Sequence, residues 1–407
     1  MIQSDCAALS GKRVLVTGGT GFIGRRLVEA LTTACNAQVR VMARNFTRAT
    51  GVARFPIELV RGDVSVPQDV ERAIEGCEVV FHGAAIARAD PETTRAVNVG
   101  GTDNVLSAAL RAGVERVVHI SSLTVYGFPT DGDLDETSPR QYQGMNYADT
   151  KLDAEKVAFS YHDMHGLPVS IIQPACVYGP FGSAWTQGVL EQLKNDRVIL
   201  VDGGEGLANP VYVDDVVRAL LLAAVKEEAI GEAFLISNGQ RVTWREFYNQ
   251  YARLVPGAEI ISVPAADLVD AHNLEVKKKR KKGLVRESMN ILREDAQIRK
   301  RLLRTRQGSF AVQVAKPLVP QSVRDSFKSR PGREGRRASP SAPVAGATAA
   351  EEAKASPSMP PLMVKFFQPK AWVRIEKAQR LLGYQPQYTL EAGLKRVEAR
   401  ARWAQIV

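Results

Sequence analysis

Short, nearly all-apolar runs rich in valine and isoleucine recur through the first 240 residues, and helical spacing fills the stretches between them. Residues 13–17, 39–42, 58–61, 79–82, 116–121 and 169–173 read as strands, and a seventh covers 233–236. Most of these runs lack the in–out alternation of a half-exposed sheet, so both sheet faces are expected to be covered. Helical patterns lie between them, for example over 24–33, 102–112 and 147–162. This alternation predicts parallel βαβ units and a doubly wound α/β sheet of Rossmann type.

After Arg241 the pattern breaks. Thr243-Trp244-Arg245-Glu246 has the form of a capping box opening a helix. Six basic residues, Lys277 to Lys282, then lead into two basic amphipathic stretches around 284–303 and 310–327. Residues 331–361 are rich in Ala, Pro, Ser and Gly, the composition of a flexible linker. A helical pattern returns over 375–382, with Gly383 placed as its C-cap. The expected organisation is a dinucleotide-binding domain over 11–180, with 207–240 returning to it. A smaller substrate-binding region would come from 181–206, 241–276 and 364–400, and a basic insert covers 277–337.

Charge sharpens the picture of that insert. The chain carries a net +10, yet 277–337 alone holds 20 Lys+Arg against 5 Asp+Glu, so the remainder is mildly acidic. A solvated extension would need no function. Basic amphipathic helices could instead rest on an anionic membrane surface, with Leu284, Ile291, Ile298, Leu302, Phe310 and Leu318 toward lipid. That would place a cytoplasmic protein peripherally at the inner membrane surface. Nucleic acid is the least supported partner, because Phe310 and Phe327 are the insert's only aromatic residues and no recognised binding fold is present. No apolar run approaches the roughly 18 residues of a bilayer span, and the N-terminus shows no apolar signal core. Cys6, Cys35, Cys77 and Cys176 are widely scattered, with neither metal-ligand spacing nor disulfide density, which suggests a reducing compartment and no metal site.

Two runs carry chemistry. Thr17 to Gly24, TGGTGFIG, follows a strand and opens a helix. Gly18 would permit the tight turn, Gly21 the close approach of a pyrophosphate, and Gly24 close helix–strand packing. The helix N-terminus then offers free N–H groups and a positive dipole end to phosphate. NAD-binding sheets commonly end their second strand on a carboxylate for the ribose hydroxyl, but no Asp or Glu occurs between Glu29 and Glu58. Arg44 and Arg48 stand there instead, and a guanidinium there suits the 2′-phosphate of NADP, while Arg44 stacked on adenine would allow either NADP or NAD. Asp63, past the third strand, is a candidate for the adenine amino group or a turn residue. In the second run, Tyr147 and Lys151 are four apart on one helix face. An ammonium beside the phenol would favour phenolate and lower the tyrosine pKa. Ser122 would emerge at the carboxyl edge of the sheet, able to bridge a substrate oxygen and Tyr147.

With these runs go HGAA (82–85), NVGGT (98–102), SSLTVYG (121–127), PACVYGP (174–180) and YVDD (212–215). In this order the motifs resemble the extended short-chain dehydrogenase/reductase family, in its NAD(P)-dependent sugar epimerase/dehydratase branch. The resemblance covers about 11–240 and resumes near 364–395. It implies a catalytic triad of Ser122, Tyr147 and Lys151. Phe22, Ile23, Val64, Ala84, Pro174 and Val177 would join the glycines, Arg44, Arg48 and Asp63 around the cofactor, with Asn98 a structural polar residue nearby. It also implies a homodimeric oxidoreductase or epimerase on a nucleotide-linked sugar, serving polysaccharide or cell-surface glycan synthesis. Two positions depart from the pattern. Leu123 and Thr124 stand where dehydratases carry an Asp-Glu pair, which disfavours dehydration. Gln173 stands where an arginine is usual, which removes a fixed cation. The alternatives are an NADPH-dependent reductase of a non-sugar ketone, of steroid or flavonoid type, and a cofactor-binding regulator without chemistry. His82 and His119 read as packing residues, Cys176 as a small buried apolar residue, and Asp214 or Asp215 as a helix N-cap.

Overall fold

The computed structural model describes residues 6–195, 197–294 and 357–405, with the backbone alone over 281–294. The chain divides into two compact units, Met1–Ala265 with Pro361–Val407, and Ala266–Pro360.

The first unit is built on a seven-stranded parallel sheet. In chain order its strands are β1 (Arg13–Thr17), β2 (Gln38–Ala43), β3 (Ile57–Arg61), β4 (Val79–His82), β5 (Arg116–Ile120), β6 (Val169–Pro174) and β7 (Ala233–Ile236). Their order across the sheet is β7-β6-β5-β4-β1-β2-β3, so the chain reverses direction at β1/β4, where ligands bind in such sheets. Helices α1 (Phe22–Thr33) and α5 (Val213–Val225) cover one face, and α2 (Pro67–Ile74), α3 (Gly101–Ala112) and α4 (Asn146–His165) the other. The continuous apolar runs have a direct cause. Val14 and Val16 pack with Leu27, Leu31 and Leu220, while Leu15 between them packs with Val70, Ala73 and Val105. Every position of the strand after the exposed Arg13 is therefore buried.

A second aromatic core lies beyond the sheet. It joins Tyr178, Leu190 and Val198 to Trp244, Phe247 and Tyr251 of α6 (Trp244–Ala252) and to Leu394 of the C-terminal helix Leu390–Trp403. The expected capping box is present, with the Thr243 hydroxyl accepting from the Glu246 N–H and the Glu246 carboxylate accepting from the Thr243 N–H. Gly383 closes the turn Ala378–Leu382 in the left-handed region.

In the second unit, helix α7 (Ala265–Glu294) carries the run Lys277 to Lys282, and Leu284 and Ile291 fall on its described backbone. Ile298, Leu302, Phe310 and Leu318 lie outside the described residues, as does the expected linker up to residue 356. Among the described residues, no helix is long and apolar enough to cross a membrane.

Two expectations are corrected. Asp214 and Asp215 do not cap α5, whose N-cap position, Tyr212, makes no side-chain cap. Asp214 accepts from both Nε and Nη2 of Arg26, at 2.8 and 2.9 Å, which ties α5 to α1. Buried Asp215 accepts the backbone N–H groups of Gln387 and Tyr388 and so anchors the C-terminal segment. The cysteines are not four separate thiols either. Cys6 and Cys35 form a disulfide across a sequence separation of 29, enclosing β1, the glycine turn and α1, while Cys77 and Cys176 remain free and buried.

Closing a loop of that length stabilises a fold by about 3.5 kcal/mol on chain-entropy grounds. Dithiothreitol should therefore lower the thermal midpoint of the purified protein, and the midpoint of Cys6→Ser should ignore the reductant. Equal midpoints with and without reductant in the wild type would contradict the tie.

Candidate active site

The glycine turn is shaped by contact rather than flexibility. Gly18 has φ +72°, and a Cβ there would sit 2.6 Å from the Gly83 carbonyl carbon. At Gly24 a Cβ would sit 2.2 Å from the Gly18 carbonyl oxygen. The strand β1, the first turn of α1 and the end of β4 are thus pressed together with no room for a side chain. This leaves the turn before α1 open toward a cleft of about 270 Å³.

Gly18, Gly21, Arg44, Arg48, Asp63, Val64 and Ala84 all line that cleft. Arg44 faces Asp63 at 3.6 Å, and the Asp63 carboxylate also accepts from the N–H and hydroxyl of Ser65, so this aspartate is a turn residue as well as a cleft residue. Arg44 and Arg48 thus give this cleft two guanidinium groups, the first of them paired with Asp63. Phe22, Ile23 and Gly24 form the first turn of α1; Phe22 and Ile23 pack against the aromatic core, outside the cleft lining. Pro174 ends β6 and Val177 lies just beyond it, also outside the cleft lining.

At the other end, Asn98 ties the cleft to the second motif. Its side chain accepts from the Ile86 N–H and donates to the Ile86 carbonyl and to the Thr150 hydroxyl, at 2.8, 3.0 and 3.0 Å. Thr150 precedes Lys151 on α4. Lys151 is buried and donates to the Ile120 carbonyl at 2.6 Å, which brings its ammonium to the end of β5, beside Ser122. The Ser122 hydroxyl interacts with the Tyr147 phenol and accepts from the N–H and hydroxyl of Thr124, at 3.2 and 3.0 Å. Ser122, Tyr147 and Lys151 therefore converge at the carboxyl edge of the sheet.

Electrostatics differ from the expected pattern at Tyr147. Burial raises its pKa, with the Ser122 hydrogen bond pulling the other way, so without ligands the phenol stays protonated. Burial also lowers the Lys151 pKa to about 8, with the carboxylate of Glu155 opposing it. Glu155 lies one turn further along α4 and is itself buried. It accepts from Gln173 Nε2 at 2.9 and 3.1 Å and from Arg140 Nε at 3.0 Å. Gln173 in turn accepts from the Tyr126 hydroxyl, and the Arg140 guanidinium lies over the Tyr126 and Phe159 rings. The cation missing at position 173 is thus supplied by Arg140 from the loop before α4. Glu155 was within reach of sequence reasoning, being four residues after Lys151; Arg140 had no such signal.

His82 and His119 pack side by side in the sheet, rings 5.3 Å apart. His82 bridges the hydroxyls of Thr17 and Thr102, and burial lowers its pKa to about 3. Cys176 is buried, and burial raises its pKa, so it is a protonated thiol.

The sequence from 14 to 237 matches the model of the "NAD dependent epimerase/dehydratase family". The chain belongs to that family. A family relative from Stigmatella aurantiaca, 4-hydroxy-2-methyl-3-oxo-4-farnesyl-3,4-dihydroquinoline-1-oxide ketoreductase, is 31% identical over 244 residues, covering 58% of this chain and 71% of its own. The dTDP-D-glucose 4,6-dehydratase of Mus musculus is 30% identical over 261 residues, covering 60% and 73%. The solved epimerase Mth375 from Methanothermobacter thermautotrophicus matches with a TM-score of 0.67 at 22% identity, over 100% of this chain and 97% of that one. At that identity the likeness is one of fold.

Reduction of a carbonyl group at this site would need Lys151 charged and Tyr147 protonated. The rate of reduction should fall above about pH 8, where Lys151 loses its proton. Glu155→Gln removes the charge that holds this pKa up, so the alkaline limb should move to lower pH. A uniform loss of rate with an unmoved limb would assign Glu155 a packing role alone.

Proposed function

We propose that the protein is an NADP-dependent oxidoreductase that interconverts a ketone and a secondary alcohol, working in the reductive direction. The observation that carries this reading is the convergence of Ser122, Tyr147 and Lys151 at the sheet edge, next to the dinucleotide-shaped cleft. The nicotinamide cofactor, when bound, supplies the hydride. Tyr147, protonated because it is buried, gives its proton to the carbonyl oxygen as the alkoxide forms. Ser122 donates a hydrogen bond to the same oxygen. Lys151 places a positive charge beside the phenolate left behind, and solvent restores the proton. The balance is one ketone, one reduced cofactor and one proton to one alcohol and one oxidised cofactor.

Leu123 and Thr124 support reduction over dehydration, since neither can act as the acid–base pair that eliminates water. The ketoreductase relative supports it as well. The epimerase alternative on a nucleotide-linked sugar first oxidises the alcohol and shares the ketone reduction only as its second half-reaction, and the family membership favours it. It requires return of hydride to the opposite face and no net use of cofactor. Stoichiometric consumption of NADPH separates the two. Retention of serine, tyrosine and lysine together argues against a regulator without chemistry.

Tyr147→Phe should reduce turnover at least a thousandfold while NADPH still binds, read by absorbance at 340 nm and by calorimetry; full activity in that variant would refute the assignment. The cofactor reading has its own check. Each charge-assisted hydrogen bond to phosphate is worth about 1.5–3 kcal/mol. Arg44→Ala combined with Arg48→Ala should thus raise the KM for NADPH more than tenfold and leave that for NADH nearly unchanged. Equal losses for both cofactors would remove NADP preference from the account.

A further inference from the structure

A second hollow, with about 50 Å³ of space inside it, opens directly beside Ser122. Its wall begins at Leu123 and Thr124, and the Thr124 hydroxyl hydrogen-bonds Ser122 Oγ at 3.0 Å. From there it is lined by Phe128, Leu134, Trp244 and Phe366, with no Lys, Arg, Asp, Glu or His in the lining. The aromatic side is braced. Phe366 stacks on Trp185 at 5.6 Å between ring centroids with an 11° interplanar angle, and it meets Phe128 edge-on at 6.2 Å. Trp244 packs against Phe366 at 5.7 Å.

A diphosphate brought into this slot would lose water and find no cation, at a cost of several kcal/mol per charge. An uncharged hydrocarbon body would gain roughly 25 cal/mol for each Å² it buries. We propose that the slot takes the apolar body of the substrate ketone, so that the reacting carbonyl sits at Ser122 and Tyr147 and the substrate carries no nucleotide. This rests on the oxidoreductase reading of the same site and names its substrate class. The two positions that a dehydratase would use for acid and base are here part of the apolar wall.

The test reads binding apart from chemistry. The full-length Tyr147→Phe protein, saturated with NADPH, is titrated by calorimetry with 1-decalone, a ring ketone, with 2-decanone, a chain ketone, and with UDP-glucose. The expected result is that at least one ketone binds with a Kd below 1 mM on the order-of-magnitude scale of a buried ten-carbon body, and that UDP-glucose neither binds nor competes. Phe366→Asp should weaken ketone binding at least tenfold; Leu134→Asp is the second variant should the first fail to fold. UDP-glucose binding as tightly as the ketones, absence of binding by both ketones, or unchanged affinity in a folded slot variant overturns the proposal. Binding of a ketone that wild-type enzyme and NADPH leave unreduced would instead overturn the redox reading and leave the ligand class of the slot standing.

Discussion

A single buried ammonium organises the candidate site. Lys151 sits under the edge of the sheet with the Ile120 carbonyl as acceptor, and burying a charge there is unfavourable unless other groups answer it. Glu155 answers from the next helical turn, and its own burial then has to be met. Gln173 from β6 and Arg140 from the preceding loop meet it, and Tyr126 completes Gln173. The chain of partners fixes three separate segments around α4, which is what aims Tyr147 at Ser122. Charge compensation and catalytic geometry are one arrangement here, because moving any partner would strand a buried charge.

The other half of the site depends on sterics rather than charge. Contacts as short as those at Gly18 and Gly24 leave the backbone of β1, α1 and β4 in direct apposition. Gly18, Thr20 and Gly21, just before α1, therefore line the cleft. The Cys6–Cys35 disulfide closes the covalent loop around this same turn. The parallel order of β4, β1 and β5 carries the two halves together, with Gly83 packed against Ile120, the residue that receives Lys151.

What the sequence reveals follows from range. Strands β1, β4 and β7 are legible to the residue because every position but the exposed Arg13 is buried, and a nearly unbroken apolar run records that directly. The glycine fingerprint and the Tyr147–Lys151 pair are legible because a turn and a helix fix their spacing. Arg140 is not, since it reaches Glu155 from an irregular loop with no periodicity to mark it. The same holds for the slot: Leu123, Trp244 and Phe366 come from segments about 120 residues apart, and each alone looks like ordinary core. The direction of the Tyr147 shift is hidden for a related reason. Spacing reveals the neighbouring ammonium, but the desolvation that raises the pKa depends on everything packed around the ring.

Desolvation also links the proposed direction of reaction to the proposed substrate. Burial raises the Tyr147 pKa and leaves the proton on the phenol, and an apolar wall begins at Leu123, next in sequence to Ser122. A protonated phenol is the form that reduction consumes. In the proposed reading that wall rewards an uncharged ligand and penalises a diphosphate, so desolvation bears on the ligand as it does on the phenol. A braced aromatic slot has a further consequence for stereochemistry. Epimerisation requires the ketone to turn over within the site so that hydride can return to its other face. A ligand clamped by Phe128, Trp244 and Phe366 would have to leave a close-packed wall to do so, forfeiting its buried contacts at the moment of rotation. In the proposed reading the slot therefore favours addition of hydride to a single face followed by release, which is the course of a reductase.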